Sequence, residues 1–170
     1  MEGYKMGTKR VGLARVEALM ENLKREINLG SSTLSFAHLP VEAKTADFVA
    51  EAGKCYLITK LDGCAVTLPA PTVGAKVKLV LGAVTSNTHT ITADATSTLY
   101  QGFALLEDTL DGTAAQHVVF APDETNDDVI TLNGTTTGVA GIIELTGTAT
   151  NRWFVEARLS ASGTVATPFG

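Results

Sequence analysis

Arg152-Trp153-Phe154-Val155-Glu156-Ala157-Arg158-Leu159 alternates apolar and polar side chains with a period of two, the pattern of a strand with one buried face. Trp153, Val155, Ala157 and Leu159 read as core, and Phe154, Glu156 and Arg158 as the opposite face. Working back along the chain, shorter runs at 56–61, 64–68, 77–81, 89–92, 99–106, 117–121, 129–132 and 142–145 are bounded by Gly, Asn, Asp or Pro and read as further strands. A less regular candidate lies at 45–49. Short strands at this spacing predict a mainly β fold, a β-sandwich or jelly-roll-like domain. No internal repeat of roughly 20–50 residues is visible, which disfavours a solenoid or a propeller.

The N-terminal part has a different period. Leu13, Val16, Met20, Leu23 and Ile27 recur at spacings of three and four, the apolar stripe of an α-helix. Gly30 supplies a C-cap, so one N-terminal α-helix is predicted over 9–29. Either the stripe completes the core of its own domain, or it packs against a copy of itself or a partner; two heptads alone make a marginal coiled coil. The organisation expected is a helix or arm over 1–30, a connector over 31–54 punctuated by Pro40 and Gly53, a β domain over 55–160 and a C-terminal tail over 161–170. That tail is expected to leave the domain and dock on a neighbour through Phe169, its one large apolar group. The candidate interaction residues are therefore Leu13, Val16, Met20, Leu23, Ile27 and Phe169.

Charge narrows the partners. The chain carries a net charge of -5. Lys5, Lys9, Arg10, Arg15, Lys24 and Arg25 against Glu2, Glu17, Glu21 and Glu26 make the first 29 residues +2 and leave the β region at -7. An acidic body repels phosphate backbones, so nucleic acid is not an expected partner. No run is apolar and long enough for a signal peptide or a membrane span, so no membrane partner is expected and synthesis in a cytoplasm is the default. Charged residues make up only 18% of the chain, below the roughly 25% usual in soluble domains, and the hydroxyl-rich remainder suits packing against neighbours.

Cys55 and Cys64 flank Asp62-Gly63, a strong hairpin signal that sets Leu61 opposite Cys64. Cys55 then lies about 20 Å back along its strand, beyond disulfide reach. Two free, buried thiols are expected.

No chemistry-bearing motif is present. Gly74-Ala75-Lys76 lacks the spacing of a phosphate loop and precedes a strand. Gly134, Gly138 and Gly141 form no dinucleotide fingerprint. His38, His89 and His117 are isolated, and no serine sits in a nucleophile elbow. Asp123, Glu124, Asp127 and Asp128 are the densest acidic cluster but lack the register of a calcium loop, so a solvated turn is the better reading. Asn133-Gly134-Thr135 reads as a turn rather than a glycan acceptor. Sugar binding by hydroxyls beside Trp153 or Tyr100 stays open, although no aromatic cluster marks a site. No metal or cofactor and no enzymatic activity are expected.

Longer stretches resemble a known group. Lys9-Arg10-Val11-Gly12-Leu13-Ala14-Arg15 and Ala18-Leu19-Met20-Glu21-Asn22-Leu23-Lys24-Arg25-Glu26 look like the opening of small virion structural proteins of tailed bacteriophages, especially phages of marine bacteria and cyanobacteria. Ala52-Gly53-Lys54-Cys55-Tyr56-Leu57-Ile58, Val66-Thr67-Leu68-Pro69-Ala70, Asp128-Val129-Ile130-Thr131-Leu132-Asn133-Gly134 and Ala166-Thr167-Pro168-Phe169 are similar to stretches of the same proteins. The resemblance implies a capsid decoration, or cement, protein, commonly a homotrimer, that is made in the host cytoplasm and binds the major capsid protein on the outer surface of the virion. The alternative is a tail or fibre adhesin domain recognising a host glycan, which surface Thr, Asn and Trp would suit.

Overall fold

The computed structural model describes residues 16–18, 20, 40–82, 87–108, 117–138 and 140–170. The chain forms two units, residues 1–39 and 40–170. Of the first, Val16, Glu17, Ala18 and Met20 are helical, in keeping with the predicted helix. Leu13, Leu23 and Ile27 lie outside the described residues.

Among the described residues the second unit contains eleven strands: β1 Val41–Lys44, β2 Phe48–Val49, β3 Lys54–Ile58, β4 Ala65–Thr67, β5 Lys76–Leu81, β6 His89–Thr92, β7 Leu99–Asp108, β8 His117–Phe120, β9 Val129–Leu132, β10 Ala140–Ala149 and β11 Arg152–Ala161. They form a seven-stranded sheet in the order β1-β3-β5-β10-β11-β7-β8 and a four-stranded sheet in the order β2-β4-β6-β9. Apolar side chains of both sheets meet in one core, so of the two architectures expected the sandwich is the one formed. On β11 the predicted core residues Trp153, Val155, Ala157 and Leu159 are all buried.

The first six strands alternate between the sheets, and within each sheet they pair in parallel. The chain thus winds as a short coil, with Val41 beside Cys55 in one turn and Lys54 beside Val77 in the next. Those steps of 14 and 23 residues differ too much to leave a repeat in the sequence. The rest is a mixed meander in which β10 and β11 form an antiparallel pair with β5 on one flank and β7, parallel to β11, on the other.

Three expectations need correction. The Asp62-Gly63 turn does not close a hairpin, because β3 and β4 lie in different sheets. Gly63, buried with φ +86°, turns the chain at the corner between sheets, where a Cβ would collide with the carbonyl oxygen of Thr88. Asp47 holds that corner by accepting from the Ala65 amide at 2.9 Å and from Lys60 Nζ at 2.7 Å. Second, the connector is part of the fold, since β1 and β2 fall inside 41–49. Third, the C-terminal tail does not leave the domain. Gly170 and Val129 exchange backbone hydrogen bonds, Thr131 donates to the Pro168 carbonyl, and Phe169 bridges Ile130. The tail therefore covers the β9 edge of the smaller sheet, an edge that would otherwise expose unpaired backbone groups.

Candidate interaction surface

Alternation along each strand sends one set of side chains of the larger sheet into the core and the other set to its outer face. Following the register across that outer face gives one row that crosses all seven strands: Ala43, Leu57, Val80, Ile142, Arg158, Leu105 and Val119. Six of these seven are apolar. Ile142 at the centre is 41% exposed and Val119 at the far end 62%. The smaller sheet covers only the inner face, so this row meets solvent.

The neighbouring row is polar at its centre: Cys55, Lys78, Glu144, Glu156 and Phe103. Lys78 Nζ lies 2.7 Å from Glu144 Oε1, and Arg158 Nη2 2.9 Å from Glu156 Oε1. Each Lys78 and Glu144 group favours the ionised form of the other, which raises the lysine pKa and lowers the carboxyl pKa. A shallow depression of about 170 Å³ is bounded by Ile142, Glu144, Glu156 and Arg158. Next along the strands come Lys76, Thr146, Phe154 and Gln101, with Phe154 39% exposed.

This surface was not among the residues singled out from the sequence, although the chain carries its signal. Leu79-Val80-Leu81, Ile142-Ile143 and Ala104-Leu105-Leu106 break the alternation into continuous apolar runs. Such runs belong to strands whose two faces are both meant to be covered.

Val16 and Met20 are exposed on their helical segment, by 53% and 57%. Phe169 is buried in the core at 7% exposure, so it is not an interaction residue of this fold. Trp153 and Tyr100 are also fully buried, and the Tyr100 hydroxyl donates to the Ile91 carbonyl at 3.0 Å. Neither offers a ring to a sugar. In the acidic turn, Asp123 Oδ1 accepts from the amides of Thr125 and Asn126, each at 2.8 Å, and these bonds hold its carboxyl well below the usual carboxylate range. The carboxylate caps its own turn, as the turn reading requires. Asn133 does the same by accepting from the Thr135 amide at 2.7 Å. Among the described histidines, His117 is exposed at the start of β8 and His89 is buried in β6. His38 lies outside the described residues. Cys55 and Cys64 are free and buried, as expected.

No known protein family matches the chain, and no curated protein matches it in sequence.

Proposed function

We propose that this protein is a structural component of a bacteriophage particle, a decoration protein that sits on the outer capsid surface and reinforces the shell by bridging neighbouring shell subunits. The observation that carries this reading is the exposed apolar row across the seven-stranded sheet. A row of Ala, Leu, Val and Ile interrupted only at Arg158 on a sheet face is a surface for another protein molecule. Such a surface on a body with an extensive buried core suits a part that is assembled rather than one that turns over substrate.

The resemblance of 9–26 and of the β-region stretches to virion structural proteins supplies the shell protein as the partner. The tail is part of the body, so the N-terminal segment with its exposed Val16 and Met20 is left as the element that reaches toward a shell subunit.

The test is the molar ratio of this chain to the major shell protein in purified particles, by quantitative peptide mass spectrometry. A ratio near one, or near a simple fraction of it, is expected. A ratio of a few per cent would move the protein to the tail, and absence from the particle would refute the reading.

A further inference from the structure

We infer that the outer face of the seven-stranded sheet seats a second copy of this chain, related to the first by a twofold axis running along β10. The inference deepens the proposed function by assigning this face to self-association, which leaves the shell contact to the N-terminal segment. Three observations point to this occupant.

The first is position. β10 is the central strand of seven, and Ile142 is the central residue of the apolar row. A twofold axis along that strand sets Ile142 against its own copy. It places β5 over β11 and β3 over β7 of the partner subunit, so Leu57 meets Leu105 of the partner subunit.

The second is charge. In the neighbouring row the same operation puts Lys78 against Glu156 of the partner subunit, and the reciprocal pair forms by symmetry. The depression bounded by Glu144 and Glu156 is where Lys78 of the partner subunit enters. The two Glu144 carboxylates meet on the axis, each held by its own Lys78 at 2.7 Å. The same operation sets Arg158, paired with its own Glu156 at 2.9 Å, against Val80 of the partner subunit, whereas an axis laid across the strands along the apolar row would stack Arg158 on itself. The β region is strongly acidic, yet this face sets Lys76, Lys78, Arg152 and Arg158 against Glu107, Glu144 and Glu156. Two acidic bodies can therefore approach here without the repulsion they meet elsewhere.

The third is area. Six gaps between seven strands span roughly 29 Å at about 4.8 Å each, and the run from Lys76 to Gly82 adds about 20 Å along the strands. Because β1, β3 and β8 fill only part of that length, pairing two such faces buries about 1,000 Å² in all, the size at which a specific interface begins.

The test is sedimentation equilibrium of the full chain at concentrations up to about 100 µM, with Ile142→Asp and Ile142→Cys as variants. The parent is expected to be a dimer, and Ile142→Asp a monomer with unchanged circular dichroism. With a short bifunctional thiol crosslinker long enough to span two packed sheets, Ile142→Cys should crosslink as a dimer faster than Val73→Cys, a control in an exposed turn. If Ile142→Asp fails to fold, the crosslinking contrast decides. A monomeric parent, a trimer, a dimer untouched by Ile142→Asp, or equal crosslinking at both sites would overturn the inference. The particle ratio above would still stand on its own.

Discussion

Lowering the pH should destabilise this fold through one side chain, His89. Its ring is 1% exposed on β6, with Leu132 opposite on β9, and neither Nδ1 nor Nε2 has a hydrogen-bond partner among the described residues. Burial first, and the charge of Lys60 second, hold its pKa below the ordinary histidine value. In the unfolded chain the ring titrates near its usual value of about 6.5. Below that pH the unfolded state binds a proton that the folded state refuses, so stability is full above it and falls as the pH drops. The slope for one group is at most about 1.4 kcal/mol per pH unit, which sets a ceiling of about 2 kcal/mol between pH 6.5 and 5. Replacing His89 by Leu removes two unpartnered polar atoms at modest change in volume. The variant should therefore lie within about 1 kcal/mol of the parent near neutral pH. The assay is urea unfolding of parent and His89→Leu at several pH values between about 7.5 and 5. Carboxylate titrations are common to both proteins and cancel in the difference. That difference should move in favour of the variant as the pH falls, by up to about 2 kcal/mol. A difference that stays flat would show that the buried ring is partnered or already charged, and the argument would fail.

Phe169→Ala should cost about 3–5 kcal/mol in urea unfolding, as expected for a core aromatic; an unchanged midpoint would return the tail to the role of a free arm. Cys55 and Cys64 are buried, and burial pushes both thiols up from their ordinary pKa. The native chain should accordingly react slowly with an aromatic disulfide reagent at neutral pH and yield both thiols promptly in denaturant; rapid labelling of either in the native state would refute its burial.

Most strands were legible in the sequence because turn residues close them, although β1 was not read and the run at 142–145 is only the centre of a ten-residue strand. The runs read at 89–92 and 129–132 coincide with β6 and β9, and the alternation from Arg152 to Leu159 identified the buried face of β11. Pairing was not legible. Asp62-Gly63 carries the chemistry of a hairpin, but a glycine at positive φ serves a corner between sheets equally well, and local sequence does not distinguish the two. The tail misled for a similar reason: Gly163 and Pro168 mark a break in periodicity, whereas the docking of Phe169 on β9 depends on an edge that forms far away in sequence. The candidate surface was half legible. Apart from Ala43, on a strand that was not read, its residues lie on correctly read strands, but their alignment into one row depends on register across seven strands that are not consecutive in the chain.

That alignment bears on why the chain has the sequence it has. A sheet with one solvated face needs polar residues at every second position, and β11 obeys this with Arg152, Glu156 and Arg158 outward, Phe154 excepted. β5, β10 and β7, which flank or form the middle of the same sheet, depart from it at Val80, Ile142 and Leu105, all at one level of the sheet. Scattered departures would be ordinary surface composition. Departures in register, with Lys78, Glu144, Glu156 and Arg158 arranged beside them in oppositely charged pairs, are the pattern of a face whose covering layer comes from outside the protomer. The four-stranded sheet, held shut by the C-terminal tail, completes the inner side of the sandwich; in the proposed dimer a second copy completes the outer side.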